Sequence, residues 1–342
     1  MACRFLTPLL LLFAAAAAAA ATFDSVPTTA FDEGYTPLFG DNNVVKSPDG
    51  RNVDLVLNRW SGSGFISSDL YHHGFFSASI KLPSDYTAGV VVAFYTSNGD
   101  IFEKTHDELD FEFLGNIRGR QWRIQTNVYG NGSTSRGREE RYLLPFDPTE
   151  EAHRYSILWT AENIIFYIDE IPIREVLRSD AMGGDYPSKP MSLYATIWDG
   201  STWATEGGKY KADYKYAPFV SEFSNLVLRG CRTSPLQEYP SAGGCAESDA
   251  DLAAAEFSAM TPAKRAAMRR FRERYMTYSF CYDVQRYPIT FPDCDVVPSE
   301  QEKFSRSGDV KVRLERIGRI RRRSNRRSRA PKRAVDGRQA QV

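Results

Sequence analysis

The sequence predicts an all-β fold, a sandwich or jelly roll, on three observations. Short apolar runs alternate with turn formers, one segment alternates acids with apolar residues, and a helical stretch comes only late in the chain. From about Asp32 to Arg229, runs rich in Val, Ile, Phe, Tyr and Thr are divided by Gly, Asn, Asp and Pro. Ser47-Pro48-Asp49-Gly50, Ser97-Asn98-Gly99-Asp100 and Tyr129-Gly130-Asn131-Gly132 are such dividers. No internal repeat interrupts this series.

The elements follow in chain order. Residues 1–21 read as a secretion signal: Arg4 is the positive start, Leu9 to Phe13 and the alanines to Ala21 are the apolar stretch, and small residues offer cleavage near Ala20 to Thr22. An uncleaved membrane anchor is the alternative, disfavoured because the stretch is alanine-rich and short for a span. No other segment is apolar enough to cross a bilayer, so a soluble, secreted mature chain with no membrane association is expected.

The segment from His106 to Leu114 carries the chemistry. In a strand, side chains alternate between faces, so Glu108, Asp110 and Glu112 project to one side and Leu109, Phe111 and Phe113 to the other. A solvated or cation-paired face is the bland reading, but three like charges in file repel and Asp and Glu are poor strand formers. The apolar row opposite them marks a strand anchored in a core. Cleavage of a glycosidic bond with retention needs one ionised carboxylate to attack the anomeric carbon and one protonated carboxyl to help the leaving oxygen depart. Cα atoms four residues apart on a strand are about 13 Å apart, against about 5 to 5.5 Å for retaining carboxyl pairs. Two Glu side chains leaning together close most of that gap, more easily on a curved strand, and the shorter Asp sits between them to hydrogen-bond the nucleophile. Crowding must raise at least one pKa, the condition for a general acid. Sequence order alone does not say which Glu is which.

His106-Asp107-Glu108-Leu109-Asp110-Phe111-Glu112-Phe113-Leu114-Gly115 resembles the active-site signature of plant xyloglucan endotransglucosylase/hydrolases of glycoside hydrolase family 16. The resemblance extends over roughly residues 30 to 295, through Lys81-Leu82-Pro83, Ala93-Phe94-Tyr95, Gln125-Thr126-Asn127-Val128, Arg138-Glu139-Glu140, Tyr155-Ser156-Ile157-Leu158-Trp159 and Trp198 to Gly208. It implies a concanavalin-like jelly roll with Glu108 as nucleophile, Asp110 as its helper and Glu112 as acid/base. It also implies that Tyr95, Gln125, Asn127, Arg138, Trp198, Trp203 and Gly208 bind substrate. Aromatic faces and amides suit the apolar CH faces and polar rims of sugars. Trp159, inside an apolar run, reads as core. The long segment from Thr96 to Thr105 and Ile197-Trp198-Asp199-Gly200-Ser201 depart from the commoner pattern and resemble a divergent subgroup. Asn131-Gly132-Ser133 is the chain's only Asn-x-Ser/Thr triplet, so Asn131 is the expected glycan site.

Cys3 leaves with the signal, and Cys231, Cys245, Cys281 and Cys294 remain. An even set in a secreted chain reads as two disulfides, with three connectivities open. The resemblance implies sequential pairing, Cys231 with Cys245 and Cys281 with Cys294. A metal site is disfavoured by the wide spacing and the lack of nearby His, and no cofactor is expected. Thr261-Pro262 opens a helix to about Tyr278, with Ala267, Phe271, Tyr275 and Tyr278 spaced to face a core. Helix and disulfides resemble the C-terminal extension of the xyloglucan-active branch, thought to lengthen the acceptor side of the cleft.

The expected organisation is a signal at 1–21, a catalytic jelly roll at 22–230, the extension at 231–297 and a basic, disordered tail at 298–342. Lys311 to Val342 carry thirteen Lys or Arg against Glu315 and Asp336, in a chain whose formal net charge is zero. A basic tract can mean nuclear import or nucleic acid, but the secretion signal argues against both. A tether to acidic wall polysaccharide such as pectin is one reading, and a solvated or cleaved tail is another.

The expected function is a secreted cell-wall and apoplastic enzyme, a monomer, that cuts the β-1,4-glucan backbone of xyloglucan and transfers the glycosyl group to another xyloglucan chain or to water. Two rivals are an endo-glucanase on mixed-linkage or β-1,3-glucan, and a carbohydrate-binding lectin. The first is hard to reconcile with the cysteine-bearing extension, and the second has no need of Glu108 and Glu112 in one file.

Overall fold

A computed structural model describes residues 22–233 and 244–311. The expected signal and the segment from residue 312 onward lie outside the described residues. Among these, fifteen strands numbered in chain order form two antiparallel sheets. The eight-stranded sheet runs Tyr35–Phe39 (β1), Ser63–Ser67 (β4), Ser192–Asp199 (β13), Val90–Ser97 (β6), Glu108–Leu114 (β7), Arg123–Tyr129 (β8), Glu140–Leu143 (β9) and Met276–Ser279 (β15). The seven-stranded sheet runs Ile171–Leu177 (β12), Asn163–Ile168 (β11), His153–Trp159 (β10), Leu70–Lys81 (β5), Phe219–Thr233 (β14), Asn52–Leu57 (β3) and Val44–Lys46 (β2).

The turn formers read from the sequence fall between strands: Ser47 to Gly50 joins β2 to β3, and Asn98 to Asp100 leads out of β6. Between the sheets lies one large core. Phe65, Phe76, Phe94, Phe111, Tyr155 and Trp159 are fully buried in it, each aromatic removing 150 to 250 Å² or so from water. Trp159 also donates its indole N–H to the Pro187 carbonyl at 3.1 Å, so it is core as expected. A second, smaller core covers the outer face of the seven-stranded sheet, where Phe257 stacks on Phe75 at 4.0 Å and Leu252 joins them. This explains why β5 is buried on both faces instead of alternating between buried and exposed.

Four helices complete the described chain: Phe31–Gly34 (α1), Ala246–Ala254 (α2), Pro262–Tyr275 (α3) and Pro298–Lys303 (α4). Cys231 is bonded to Cys245, tying the end of β14 to α2, and Cys281 to Cys294. Short loops of this size contribute about 2 to 4 kcal/mol each.

Two expectations need correction. The helix opened by the Thr261 cap, whose hydroxyl accepts from the Lys264 N–H at 3.2 Å, ends at Tyr275 and not at Tyr278. Residues 276–279 instead pair with β9, with Met276 opposite Tyr142 and Tyr278 opposite Arg141. An open sheet edge satisfies their backbone groups and lets Met276 and Tyr278 alternate into buried space. The tail also starts later than residue 298. α4 buries Glu300, Phe304 stacks on Tyr282 at 5.0 Å, and Phe304 bridges Val310. Apolar and ionic burial holds residues 298–311 to the body, which a count of charges does not reveal.

Candidate active site

Alternation along β7 turns Glu108, Asp110 and Glu112 to the open face of the eight-stranded sheet and buries Leu109, Phe111 and Phe113 completely. Because β7 is an interior strand, hydrogen-bonded to β6 and β8 along its whole length, the carboxylates stand on a rigid support. They form the floor of a cleft of about 580 Å³, whose walls include Tyr95, Gln125, Asn127, Trp198 and Trp203.

Register explains the layout. One row crosses all eight strands: Phe39, Gly64, Thr196, Ala93, Glu112, Gln125, Arg141 and Tyr278. Small residues occupy one arm of this trough between Glu112 and Phe39, and polar residues the other. The next row places Tyr194 and Tyr95 beside Asp110 and Asn127, with the two tyrosine rings stacked at 4.9 Å. The third places Ser97 and Tyr129 beside Glu108.

The three carboxyls meet different partners. Glu112 accepts from Gln125 Nε2 at 2.5 Å, and Gln125 Oε1 accepts from Arg141 Nε at 2.7 Å. The Arg141 guanidinium in turn lies 4.6 Å over the Tyr278 ring, so the C-terminal strand supports this relay. Glu108 accepts from the Ser97 hydroxyl and from Asp110, and His106 Nε2 lies 3.9 Å away. Burial is the largest influence on all three and raises each. Glu112 reaches about 7, pushed by burial and by the charges of Glu108 and Glu139 against the opposing Gln125 hydrogen bond and Arg141. Asp110 is held well above the usual carboxylate range by burial, then by the charges of Glu108 and Glu112 and by hydrogen bonding with Glu108. Glu108 rises less freely, because Ser97, His106 and Asp110 all favour its ionised form.

Two substrate-binding expectations land elsewhere. Arg138 is buried behind the wall. It pairs with Asp293 at 3.2 Å and donates to the Val128 carbonyl at 3.1 Å, while its backbone N–H fixes Asn127 Oδ1 at 2.8 Å. Alternation puts its neighbours Glu139 and Arg141 on the cleft in its place. Gly208 sits in a turn at φ +83, where a Cβ would lie 2.3 Å from the Thr202 carbonyl oxygen; glycine there lets the segment behind Trp203 close on itself. Asn131 is exposed in the turn after β8.

Sequence reasoning missed Asp107, which is buried. Its carboxylate accepts from the N–H groups of Asn131 at 2.7 Å and of Ser188 and Lys189 at 2.8 Å, and from Lys189 Nζ at 2.8 Å, clamping the entry to β7. The strand period would have placed it off the acidic face, but Asn131 lies 24 residues away and Ser188 and Lys189 81 and 82 residues away, and none leaves a local trace.

Comparison with known proteins agrees with this geometry. The profile of Glycosyl hydrolases family 16 matches residues 31–216, and that of the Xyloglucan endo-transglycosylase (XET) C-terminus matches residues 247–294. The Arabidopsis thaliana protein described as Probable xyloglucan endotransglucosylase/hydrolase protein 30 is 60% identical over 91% of this chain and 90% of its own length. The chain belongs to the xyloglucan endotransglucosylase/hydrolase family. Probable xyloglucan endotransglucosylase/hydrolase protein 27 of the same plant is 56% identical over 92% of each chain. Xyloglucan endotransglucosylase/hydrolase protein 2 is 42% identical over 77% of this chain and 88% of its own. That gap within the family accords with a divergent subgroup, as the altered tryptophan segment suggests.

Proposed function

We propose that the chain cuts the β-1,4-glucan backbone of xyloglucan internally, with retention, and passes the glycosyl group to a second xyloglucan chain or to water. The observation that carries this is the split environment of the file on β7: Glu112 is half-buried and raised to about 7, while Glu108 receives hydrogen bonds that favour its charge. The Glu108 carboxylate attacks the anomeric carbon and forms a glycosyl ester as the glycosidic C–O bond breaks. The leaving oxygen takes the proton of Glu112. In the second half Glu112 removes the proton of an incoming hydroxyl, whose oxygen attacks the same carbon and releases Glu108. Asp110 stays protonated throughout and steadies the Glu108 carboxylate.

Transfer over hydrolysis is favoured by the extension. β15 lengthens the trough beyond Arg141, giving an acceptor glucan more surface than water needs. A lectin gains nothing from an acid tuned to about 7. The cell wall is the site of action, the chain acting as a monomer, with a glycan on Asn131 and the basic segment past residue 311 as an electrostatic tether to de-esterified pectin. Product analysis with xyloglucan, with and without a labelled xyloglucan oligosaccharide, tests the reading. Label carried into long chains supports transfer, new reducing ends without incorporation mean hydrolysis, and inactivity on xyloglucan with cleavage of β-1,3- or mixed-linkage glucan overturns it.

A further inference from the structure

The chain between β6 and β7, residues 98–107, reaches three neighbours of the site on its Glu108 side. Gly99 donates its N–H to Ser97 Oγ at 3.1 Å, which leaves the Ser97 hydroxyl hydrogen for Glu108. The Glu103 carbonyl lies 3.3 Å from His106 Nδ1. A carbonyl only accepts, so the hydrogen sits on Nδ1, and Nε2 is the atom left facing Glu108 Oε2 at 3.9 Å. The third contact is made by a side chain: Asp100 Oδ2 accepts from the Tyr194 hydroxyl at 2.7 Å.

Tyr194 carries that contact to the cleft. It stands opposite Tyr95 across β13 and β6, and Tyr95 stands opposite Asp110 across β6 and β7, so the three share one row. The two rings stack at 4.9 Å with 11° between their planes. Tyr95 lines the cleft in the row between those of Glu108 and Glu112, whereas Tyr194 is buried with its hydroxyl turned to Asp100. Burial, then the Asp100 bond, push the Tyr194 phenol further above its usual range, so it remains the donor. Asp100 itself is exposed. The turn that presents it is nevertheless fixed. Asn98 Oδ1 accepts from the Asp107 N–H at 2.8 Å and Asn98 Nδ2 donates to the Pro190 carbonyl at 3.0 Å, while the Asn98 carbonyl takes the N–H groups of Ile101 and Phe102 at 3.0 and 2.9 Å.

We propose that Asp100 is a positioning residue for the nucleophilic half of the site: through the Tyr194 hydroxyl it fixes the stacked Tyr194 and Tyr95 rings, and so holds the sugar under attack in line with Glu108. A Tyr95 ring free to shift lets that sugar drift, and misplacing the reacting atoms lowers the rate of the chemical step more than it weakens binding. The inference rests on the retaining mechanism above, with Glu108 as the nucleophile.

The test is steady-state kinetics of the full chain carrying Asp100→Ala, Asp100→Asn, Tyr194→Phe, or Asp100→Ala with Tyr194→Phe. The donors are polymeric xyloglucan and an aryl glycoside of a xyloglucan oligosaccharide, whose leaving group needs no proton from Glu112. Asp100→Ala and Tyr194→Phe are each expected to lower kcat on xyloglucan about five-fold, the size of one lost hydrogen bond, with KM within about two-fold of wild type and the melting temperature unchanged. The aryl donor should lose the same factor in kcat/KM, because the fault lies on the side of Glu108. Asparagine still accepts from the Tyr194 hydroxyl, so Asp100→Asn should restore most of the rate, and the double variant should be no slower than either single one. Unchanged kcat, losses that multiply in the double variant, a loss confined to the polymer, or a loss that Asp100→Asn does not restore overturns the positioning role. A rate loss matched by a lower melting temperature overturns it too, as a fault of folding. A wild-type chain inactive on xyloglucan but active on another glucan overturns the functional reading alone, and the comparison of variants is then made on that glucan.

Discussion

Glu112 and Glu140 lie two strands apart in the same sheet, Glu112 half-buried on the cleft face and Glu140 buried on the core face. Burial is the largest influence on each and pushes both upward. They nevertheless finish far apart, Glu112 at about 7 and Glu140 at about 2. The difference is the sign of the company. Glu112 faces Glu108 and Glu139 and has a neutral amide as its hydrogen-bond donor. Glu140 takes both forks of Arg272, at 2.7 and 2.9 Å, plus the Tyr142 hydroxyl, and Arg174 stands 3.8 Å away. Arg272 reaches on to Glu300 at 2.9 Å, so this cluster fastens α3 and α4 to the sandwich. One sheet thus holds the same residue type in two settings: among like charges it keeps its proton to higher pH, and with its charge paired it joins parts of the fold.

The largest expected effect breaks the chemical side. Glu108→Ala and Glu112→Ala should each lower xyloglucan turnover on the order of a thousand-fold or more with circular dichroism unchanged. Asp110→Asn should keep weak activity, since an amide still donates to Glu108. Near-normal cleavage by Glu108→Ala would remove it as the nucleophile.

Next comes the paired side. Arg272→Met strands Glu140 and Glu300 in a buried site and should cost about 3 to 5 kcal/mol in urea unfolding. A loss below about 1 kcal/mol would mean the cluster is not a fastening.

Stability against pH sharpens the contrast, because the two signs are opposite. The contribution of Glu140, whose value is lowered, is present above the ordinary glutamate range and is lost as pH falls toward about 2. Glu112 has a raised value, so its protonated form favours folding below the ordinary range, and that favour is lost as pH rises through about 7. Glu112→Gln should therefore raise the melting temperature at pH 8 and leave it almost unchanged at pH 4. Equal shifts at both pH values would show that Glu112 is not proton-linked to folding.

A smaller effect concerns activity. kcat/KM should fall as pH rises through about 7, when Glu112 loses the proton it must give. Arg141→Gln removes a charge that favours ionised Glu112, so this limb should move to higher pH by a fraction of a unit; a downward move would contradict the relay through Gln125. The smallest expected effect is on the segment past residue 311. Its deletion should leave turnover on soluble xyloglucan unchanged and reduce salt-sensitive retention on de-esterified pectin, whereas deletion from residue 298 should destabilise the fold by taking away Glu300 and Phe304.

The period-two pattern of β7 is local, and local periodicity is enough to reveal a half-buried strand, the face its acids share and the chemistry a row of carboxylates can perform. The turn residues between strands and the core role of Trp159 were legible for the same reason. The paired cysteines suggested two disulfides because their number is a property of the chain alone. What the tertiary structure decided depends on residues distant in sequence. Arg138 turned inward because Asp293, far along the chain, meets it there. Asp107 became a clamp through Ser188 and Lys189. The helix stopped at Tyr275 because β9 offered an edge to residues 276–279. Glu112 and Glu140 are the same residue to any reading of composition or spacing. Only packing, by setting guanidinium groups against one and carboxylates against the other, separates their proton affinities.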